Sequence, residues 1–145
     1  MLTHPMTVMG GSDSGAHTRF ICDGSAQTFM LTNRVRNHSK DDRYHLPIEF
    51  VVKKQSQDTA RLFGMRDHGT LEPGMKADLN LIDLNALQID TPTMIYDLPA
   101  GMPRLMQKAQ GYVATLVSGE VIQENGSATD ARPGKVVSGT ETPTH

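Results

Sequence analysis

A short apolar run that ends in a glycine-flanked polar turn opens this chain and limits how it can fold. The run is Met6 to Met9, and the turn is Gly10-Gly11-Ser12-Asp13-Ser14-Gly15-Ala16-His17. Glycine permits backbone conformations with positive φ and leaves room for another group to approach closely. Turns of this kind follow strands in parallel α/β folds, where chemistry lies at the carboxyl ends of the strands. The pattern predicts a short buried strand over 6–9 and then a loop that presents a carboxylate and an imidazole.

The turn holds four side chains that can take part in chemistry. Asp13 could serve as a metal ligand or a proton acceptor, whereas aspartates near glycines also commonly form hydrogen bonds within turns. Two roles are open for His17, which could form a hydrogen bond that stabilises the turn or one that orients a site. Ser12 and Ser14 act as nucleophiles only beside a base, and the glycine spacing around them does not match a nucleophile elbow. Serine hydrolase chemistry is therefore disfavoured, and the aspartate is the main candidate.

The patterning changes from helical to strand-and-turn after Gly64. Proline suits the first turn of a helix, so a helix is expected from Leu46-Pro47. A second helix is expected from Asp58 as its N-cap to Gly64 as its stop. The other predicted elements are a helix-compatible segment over 27–35, a strand over 77–84, an irregular segment over 85–111, a hairpin over 113–122 that turns at Ser118-Gly119, and a fraying end from 125 onward.

Charge and composition exclude several classes of protein. The 145 residues carry 14 basic and 16 acidic side chains, mixed along the chain, for a formal net charge of −2. No basic run indicates nucleic-acid binding, and no stretch approaches the roughly 18 apolar residues of a membrane span. The single cysteine, Cys22, gives no support to an oxidising compartment, and the N-terminus lacks a signal-peptide pattern. We therefore expect a cytoplasmic protein with no nucleic-acid or membrane partner.

The other histidines and two arginines are not grouped in a sequence pattern that indicates a metal or catalytic site. No two of the six histidines are separated by a single residue, so the chain has no His-x-His pair. His38 and His45 lie in polar sequence and are expected to be solvated. His68 falls in a turn between helix and sheet that Asp67 could cap, and neither residue belongs to a pattern that indicates chemistry. Arg34 and Arg36 could reach the carboxylate of an anionic substrate, although a solvated helix face explains them better.

Several segments together resemble N-acyl-D-amino-acid deacylases, the D-aminoacylase branch of the metal-dependent amidohydrolase superfamily. The stretch Gly-Thr-Leu-Glu-Pro-Gly-Met-Lys-Ala-Asp-Leu at 69–79 is shared by many amidohydrolases and identifies the superfamily. Ser-Asp-Ser-Gly-Ala-His at 12–17 and Asp-Leu-Pro-Ala-Gly at 97–101 narrow the resemblance to the deacylase branch. The resemblance covers almost the whole chain, but only the C-terminal portion of such an enzyme.

The resemblance implies an α+β fragment, in which the last strand and helices of a (β/α)8 barrel precede part of a small β-sandwich. At 145 residues the chain is too short for a complete barrel of about 250 residues. Residues 1–64 would form the C-terminal end of the barrel domain, 65–137 the β-sandwich portion and 138–145 a flexible tail. The missing N-terminal barrel portion, or a homologous subunit, would be the partner of this chain.

The same resemblance implies a zinc hydrolase that cleaves the amide bond of small N-acyl-D-amino acids. Asp13 would be its metal-site general base, and Ser12, Ser14 and His17 would orient the site or line the substrate loop. The family's other metal ligands, a His-x-His pair among them, come from earlier strands. Zinc would therefore be bound through Asp13 only together with ligands from missing segments, and the chain alone is expected to be inactive.

Two alternatives belong to other functional classes. The chain could be a catalytically silent folding or association module in which the turn around Asp13 is a relic. It could also belong to another amidohydrolase that acts on cyclic amides, although the Asp-Leu-Pro-Ala-Gly signature at 97–101 weighs against that interpretation.

Overall fold

A computed structural model describes residues 2–10, 12, 15, 17 and 19–137 of the protein. The chain divides into two compact units, the first made of 1–10, 47–82 and 112–145 and the second of 11–46 and 83–111. Each unit combines helical segments with antiparallel strands, so the predicted α+β class is confirmed.

The helical and extended elements have the following bounds. The helical segments are a 3-10 turn Asp23–Ser25, α1 Ala26–Phe29, a π-helix Met30–Asn37, α2 Ile48–Gln55, α3 Gln57–Leu62 and a 3-10 turn Pro99–Gly101. The strands are β1 Leu79–Ile82, β2 Gln88–Ile89, β3 Thr93–Leu98, β4 Met102–Met106, β5 Ala109–Gln110, β6 Tyr112–Val117, β7 Glu120–Glu124 and β8 Ser127–Ala128.

Helices α2 and α3 of the first unit lie where the sequence predicts helices. Pro47 takes the cap position before α2, since its fixed φ suits the entry into a helix, and Val51 is fully buried. The cap of α3 is Ser56, so the prediction of Asp58 as N-cap is wrong by two residues. Asp58 lies instead in the first turn, where the helix dipole favours a negative charge. Gly64, with a φ of 70°, follows the end of α3 as predicted.

The four-stranded sheet of the first unit, in the order β1-β6-β7-β8, contains the predicted hairpin. Strands β6 and β7 are joined by Ser118-Gly119, whose φ values of 51° and 83° match a turn type that follows the natural strand twist. Asn125-Gly126 has φ values of 46° and 81° and leads into β8, which pairs with β7. The chain is therefore still paired at Ser127–Ala128, where fraying is expected.

The second unit overturns the prediction that 85–111 is irregular, because this segment contains four strands. Strands β3 and β4 form a hairpin around Pro99–Gly101, and β2 pairs with β5 outside it. Leu87, at the base of the second pair, is fully buried. The helix-compatible segment over 27–35 is confirmed as α1 and the π-helix, with Leu31 buried.

The predicted strand over 6–9 is absent from the structure. Met6 lies in a turn with 85% of its surface exposed, and 7–9 have no regular secondary structure. The carbonyl oxygen of Thr7 accepts a hydrogen bond from Lys54 Nζ at 2.8 Å, and that of Met9 accepts one from Thr59 Oγ1 at 3.1 Å. A strand satisfies its carbonyls through a partner strand, and here side chains from α2 and α3 take that place.

The finer assignments of the fold stay predictions. These are the barrel portion over 1–64 and the sandwich portion over 65–137, whereas the proposed tail over 138–145 lies outside the described residues. None of the helices in the described part of the chain has the length and hydropathy that a membrane-spanning segment needs.

Candidate functional site

The glycine-flanked turn is the candidate site, and the structure describes part of it. Ser12 is half-buried, and His17 is exposed with a left-handed φ of 49°. The carbonyl oxygen of His17 accepts hydrogen bonds from the backbone N–H groups of Phe20 at 2.8 Å and Ile21 at 3.0 Å. The backbone of His17 thus starts the turn that follows, while its imidazole faces solvent.

Two of the predicted site residues, Asp13 and Ser14, lie outside the described residues. The general-base role of Asp13 and the supporting roles of Ser12, Ser14 and His17 stay predictions.

The Asp-Leu-Pro-Ala-Gly signature at 97–101 forms the turn of the β3–β4 hairpin. Asp97 accepts two hydrogen bonds from Arg104, one from Nε and one from Nη2, each at 2.7 Å. These bonds hold the pKa of the Asp97 carboxyl below its ordinary value. Ala100 and Gly101 follow with positive φ values of 58° and 67°, which reverse the chain direction. The acidic residue of the signature is therefore engaged in closing a hairpin and is not a free proton acceptor.

We expect the hairpin to lose stability when Asp97 is protonated. Because the hydrogen bonds from Arg104 lower the folded pKa of Asp97, its contribution is complete above the ordinary pKa of an aspartate and is lost as the pH falls through the folded pKa. Asp97→Asn should reduce the number of protons taken up on unfolding below pH 4 by up to about one per molecule. Urea unfolding followed by circular dichroism at several pH values gives the slope of the unfolding free energy against pH, which reports this proton uptake. Asp130→Asn, at an exposed position outside the hairpin, is the matched control, and identical slopes for wild type and Asp97→Asn would contradict the prediction.

The two arginines considered for substrate binding are both engaged within the second unit. Arg36 Nη1 donates to the carbonyl oxygen of Leu84 at 3.0 Å and also to that of Leu87. The guanidinium of Arg34 lies 5.3 Å from the ring centroid of Tyr44. Arg36 thus binds the loop before β2, so neither the solvated-face interpretation nor a role as substrate ligand describes it.

The sequence offered Asp67 only as a cap of the turn at His68, and it missed Asp78 as a partner of His68. Its Nδ1 lies 2.6 Å from Asp67 Oδ1, and its Nε2 lies 3.4 Å from Asp78 Oδ2. The hydrogen bond from His68 holds the pKa of Asp67 below its ordinary value. Asp78 also accepts the backbone N–H of Ser118 at 2.7 Å. The adjacency of Asp67 and His68 is the signal that could have found part of this cluster, whereas Asp78 joins it only through the fold.

His38 is likewise paired and not simply solvated. Its Nδ1 lies 2.8 Å from Asp42 Oδ2, while Asp42 Oδ1 accepts the backbone N–H of Tyr44 at 2.8 Å. The backbone hydrogen bond from Tyr44, followed by that from His38, lowers the pKa of Asp42. The spacing of four residues between His38 and Asp42 was available in the sequence. The cluster fastens the loop that precedes α2.

Comparison with known proteins identifies the family. A sequence model described as the amidohydrolase family matches residues 1–123. This chain belongs to the amidohydrolase family. That family is typically metal-dependent.

This chain is similar to the dihydroorotase of Elusimicrobium minutum (strain Pei191), to which it is 30% identical over 95 residues. The match covers 58% of this chain and 22% of the relative, so the amidohydrolase chain spans about a fifth of that protein's length. No solved structure matches the chain.

The described residues of the amidohydrolase chain do not offer a donor set for a metal ion. No group of three or more His, Cys, Asp or Glu side chains within them has a geometry that could hold one. The described residues therefore do not fit a zinc site by themselves.

Proposed function

We propose that this chain contributes to an amidohydrolase that hydrolyses the amide bond of N-acyl-D-amino acids. The observation that carries the proposal is the pairing of two motifs within one amidohydrolase-family match. These are Ser-Asp-Ser-Gly-Ala-His at 12–17 and Asp-Leu-Pro-Ala-Gly at 97–101, both within residues 1–123. The products would be the free D-amino acid and the carboxylate of the acyl group.

Asp13 is the proposed general base of this reaction. An ordinary aspartate is ionised at neutral pH and can accept a proton from the attacking water. The water oxygen then bonds to the carbonyl carbon, the C–N bond breaks, and Asp13 returns the proton to the leaving nitrogen. Ser12 and Ser14 flank this carboxylate in the sequence, and we assign to them and to His17 the orientation of the site or the lining of the substrate loop.

The remaining parts of the proposal concern the longer enzyme. Zinc is the proposed metal, but because the described residues do not form a donor set, its ligands would come from an N-terminal barrel portion or a homologous subunit. A cytoplasmic location is proposed on the single cysteine of the sequence.

A second candidate is the hydrolysis of a cyclic amide. The observation that favours it is the similarity to a dihydroorotase over 95 residues, because dihydroorotate is a ring that contains amide bonds. Against it stands the signature at 97–101, which resembles the deacylase branch.

The two candidates are separated by a substrate panel. The chain is assayed alone and together with the barrel portion of a deacylase-branch family member, supplied as a fused or separate polypeptide. The panel contains N-acetyl-D-leucine, N-acetyl-L-leucine as its mirror-image control, and dihydroorotate. Hydrolysis of the first two compounds is measured by the release of free amine. Hydrolysis of dihydroorotate is measured by its loss in chromatography.

The proposal predicts that the complemented chain prefers the D isomer over the L isomer by at least about 100-fold, a difference of roughly 2.7 kcal/mol in transition-state binding. Preferential loss of dihydroorotate would favour the second candidate. An assembled complex that hydrolyses none of the three compounds would indicate the silent association module. Turnover by the chain alone at ordinary enzymatic rates would overturn the need for a further barrel portion.

A further inference from the structure

A cavity of about 710 Å³ lies in the first unit, where the N-terminal segment faces α2 and α3. Small-molecule sites in proteins usually enclose about 300–1,000 Å³, so this cavity is large enough for an organic ligand. All of its lining residues lie in 3–8 and 50–62, and none belongs to the turn at 12–17. The cavity therefore uses a different set of residues from the candidate site already described.

The polar side of the cavity carries an excess of positive charge. Its charged lining residues are Lys53, Lys54, Arg61 and Asp58. The carboxylate of Asp58 forms ion pairs with Lys53 Nζ at 2.5 Å and with Lys54 Nζ at 3.2 Å. Arg61 forms no ion pair within the described part of the chain. One carboxylate thus faces three cationic groups, and the unpaired guanidinium is the one available to an anion.

The cationic wall is held in place by a buried lysine. Lys54 is only 8% exposed, and its Nζ donates to the carbonyl oxygen of Thr7 at 2.8 Å. The same Nζ lies 5.8 Å from the ring centroid of Phe50, within the range of a cation–π contact. A buried charge is retained only where it is paired and hydrogen-bonded, so this side of the cavity is a built feature and not a chance group of surface lysines.

Most of the other lining residues of the cavity are apolar. Pro5, Val8 and Leu62 line it together with the ring of Phe50. Leu62 is 65% exposed, although burying a leucine side chain stabilises a protein by about 1.5–3 kcal/mol. The cavity thus presents apolar surface to solvent beside an unpaired guanidinium.

We propose that this cavity binds a small carboxylate that carries an apolar chain. Arg61 binds the carboxylate, since guanidinium matches carboxylate geometry through two parallel hydrogen bonds. The apolar chain lies along Val8 and Leu62, where it removes apolar surface from water. This binding site does not depend on the proposed amide hydrolysis, because it uses no residue of the turn at 12–17.

Titration of the full chain with octanoate tests the proposal, with binding followed by isothermal titration calorimetry and by NMR shifts of the valine and leucine methyl groups. Acetate keeps the carboxylate without the chain, and octanol keeps the chain without the charge. Octanoate should bind with a stoichiometry of one, and both controls should bind at least about tenfold more weakly. Equal affinity for octanol, or no saturable binding of octanoate, would overturn the proposal.

A pair of arginine variants locates the site. Arg61→Gln should weaken octanoate binding about tenfold, because the charge-assisted hydrogen bonds to the carboxylate are lost. Arg66→Gln removes the same charge from an exposed position outside the cavity and should leave the affinity unchanged. Circular dichroism checks that both variants stay folded. Leu62→Ser is a further variant, which should weaken the binding of octanoate but not that of acetate. Unchanged affinity in Arg61→Gln, or equal losses in the two arginine variants, would show that octanoate does not use this cavity.

Discussion

Asp13→Asn is expected to reduce the turnover of N-acyl-D-amino acids by the complemented enzyme by about 10²–10⁴-fold, the usual contribution of a positioned general base. The asparagine side chain has nearly the same size but cannot accept a proton from water or return it to the leaving nitrogen. The loss should appear in kcat, because the interaction is made in the transition state. Steady-state kinetics on N-acetyl-D-leucine measure it.

Asp23→Asn is the matched control for this substitution. Asp23 is exposed and begins the 3-10 turn that follows the same loop, so its replacement removes one negative charge nearby without touching the proposed base. Its turnover should stay close to that of the wild type. His17→Gln should lower turnover less than Asp13→Asn does, because His17 is proposed only to orient the site. Turnover retained in Asp13→Asn would remove Asp13 from the reaction, and an equal loss in Asp23→Asn would reduce the effect to a general electrostatic one.

The elements that the sequence predicts correctly are those determined by local chemistry. The hairpin at Ser118-Gly119 depends on two neighbouring residues that adopt positive φ, and glycine at one of them is a strong local signal. Helix α2 depends on Pro47 at its entry and on apolar residues at helical spacing. Such signals can be identified without knowledge of the rest of the fold.

The elements that the sequence predicts wrongly depend on distant partners. The apolar run at 6–9 has the pattern of a strand, but Lys54 and Thr59 satisfy its carbonyls, and nothing in the local sequence indicates those contacts. The hairpin over 93–106 contains Pro99 and Pro103, which argue against strands unless the strand lies at an edge. Strands β3 and β4 form a sheet of only two strands, so both are edge strands and tolerate proline.

The functional candidates also divide into residues that the local sequence indicates and contacts that only the fold creates. The residue types in the turn at 12–17 indicated chemistry because carboxylate, imidazole and glycines occur together there. The partners of His68 and the backbone acceptors of Arg36 lie up to 51 residues apart in the chain. Spacing alone could not predict those contacts, since they arise only when separate elements fold together.

Gly111→Ala is expected to destabilise the second unit by about 2–5 kcal/mol, at or above the upper end of the effects of most single substitutions. Gly111 has a φ of 90°, and a Cβ there would lie 2.6 Å from Leu87 Cα and 2.7 Å from Leu87 N. Left-handed backbone costs an L residue about 1–2 kcal/mol, and overpacking typically adds about 1–3 kcal/mol. The clash is with backbone atoms of a fully buried residue, so neither side can move without disrupting the pairing of β2 with β5. Urea unfolding followed by circular dichroism measures the change.

Gly101→Ala, in the same unit, separates the two contributions, because Gly101 also has a positive φ, 67°, but no atom within 4 Å of the position that a Cβ would take. It should therefore cost only the backbone strain, about 1–2 kcal/mol. The difference between the two variants isolates the close approach of Gly111 to Leu87, the residue whose backbone carbonyl also accepts from Arg36. Equal destabilisation in the two variants would show that Gly111 lies farther from Leu87 than it does in the structure. A larger loss in Gly111→Ala would mean that this glycine is required because only a residue without a side chain can lie against the core of the second unit.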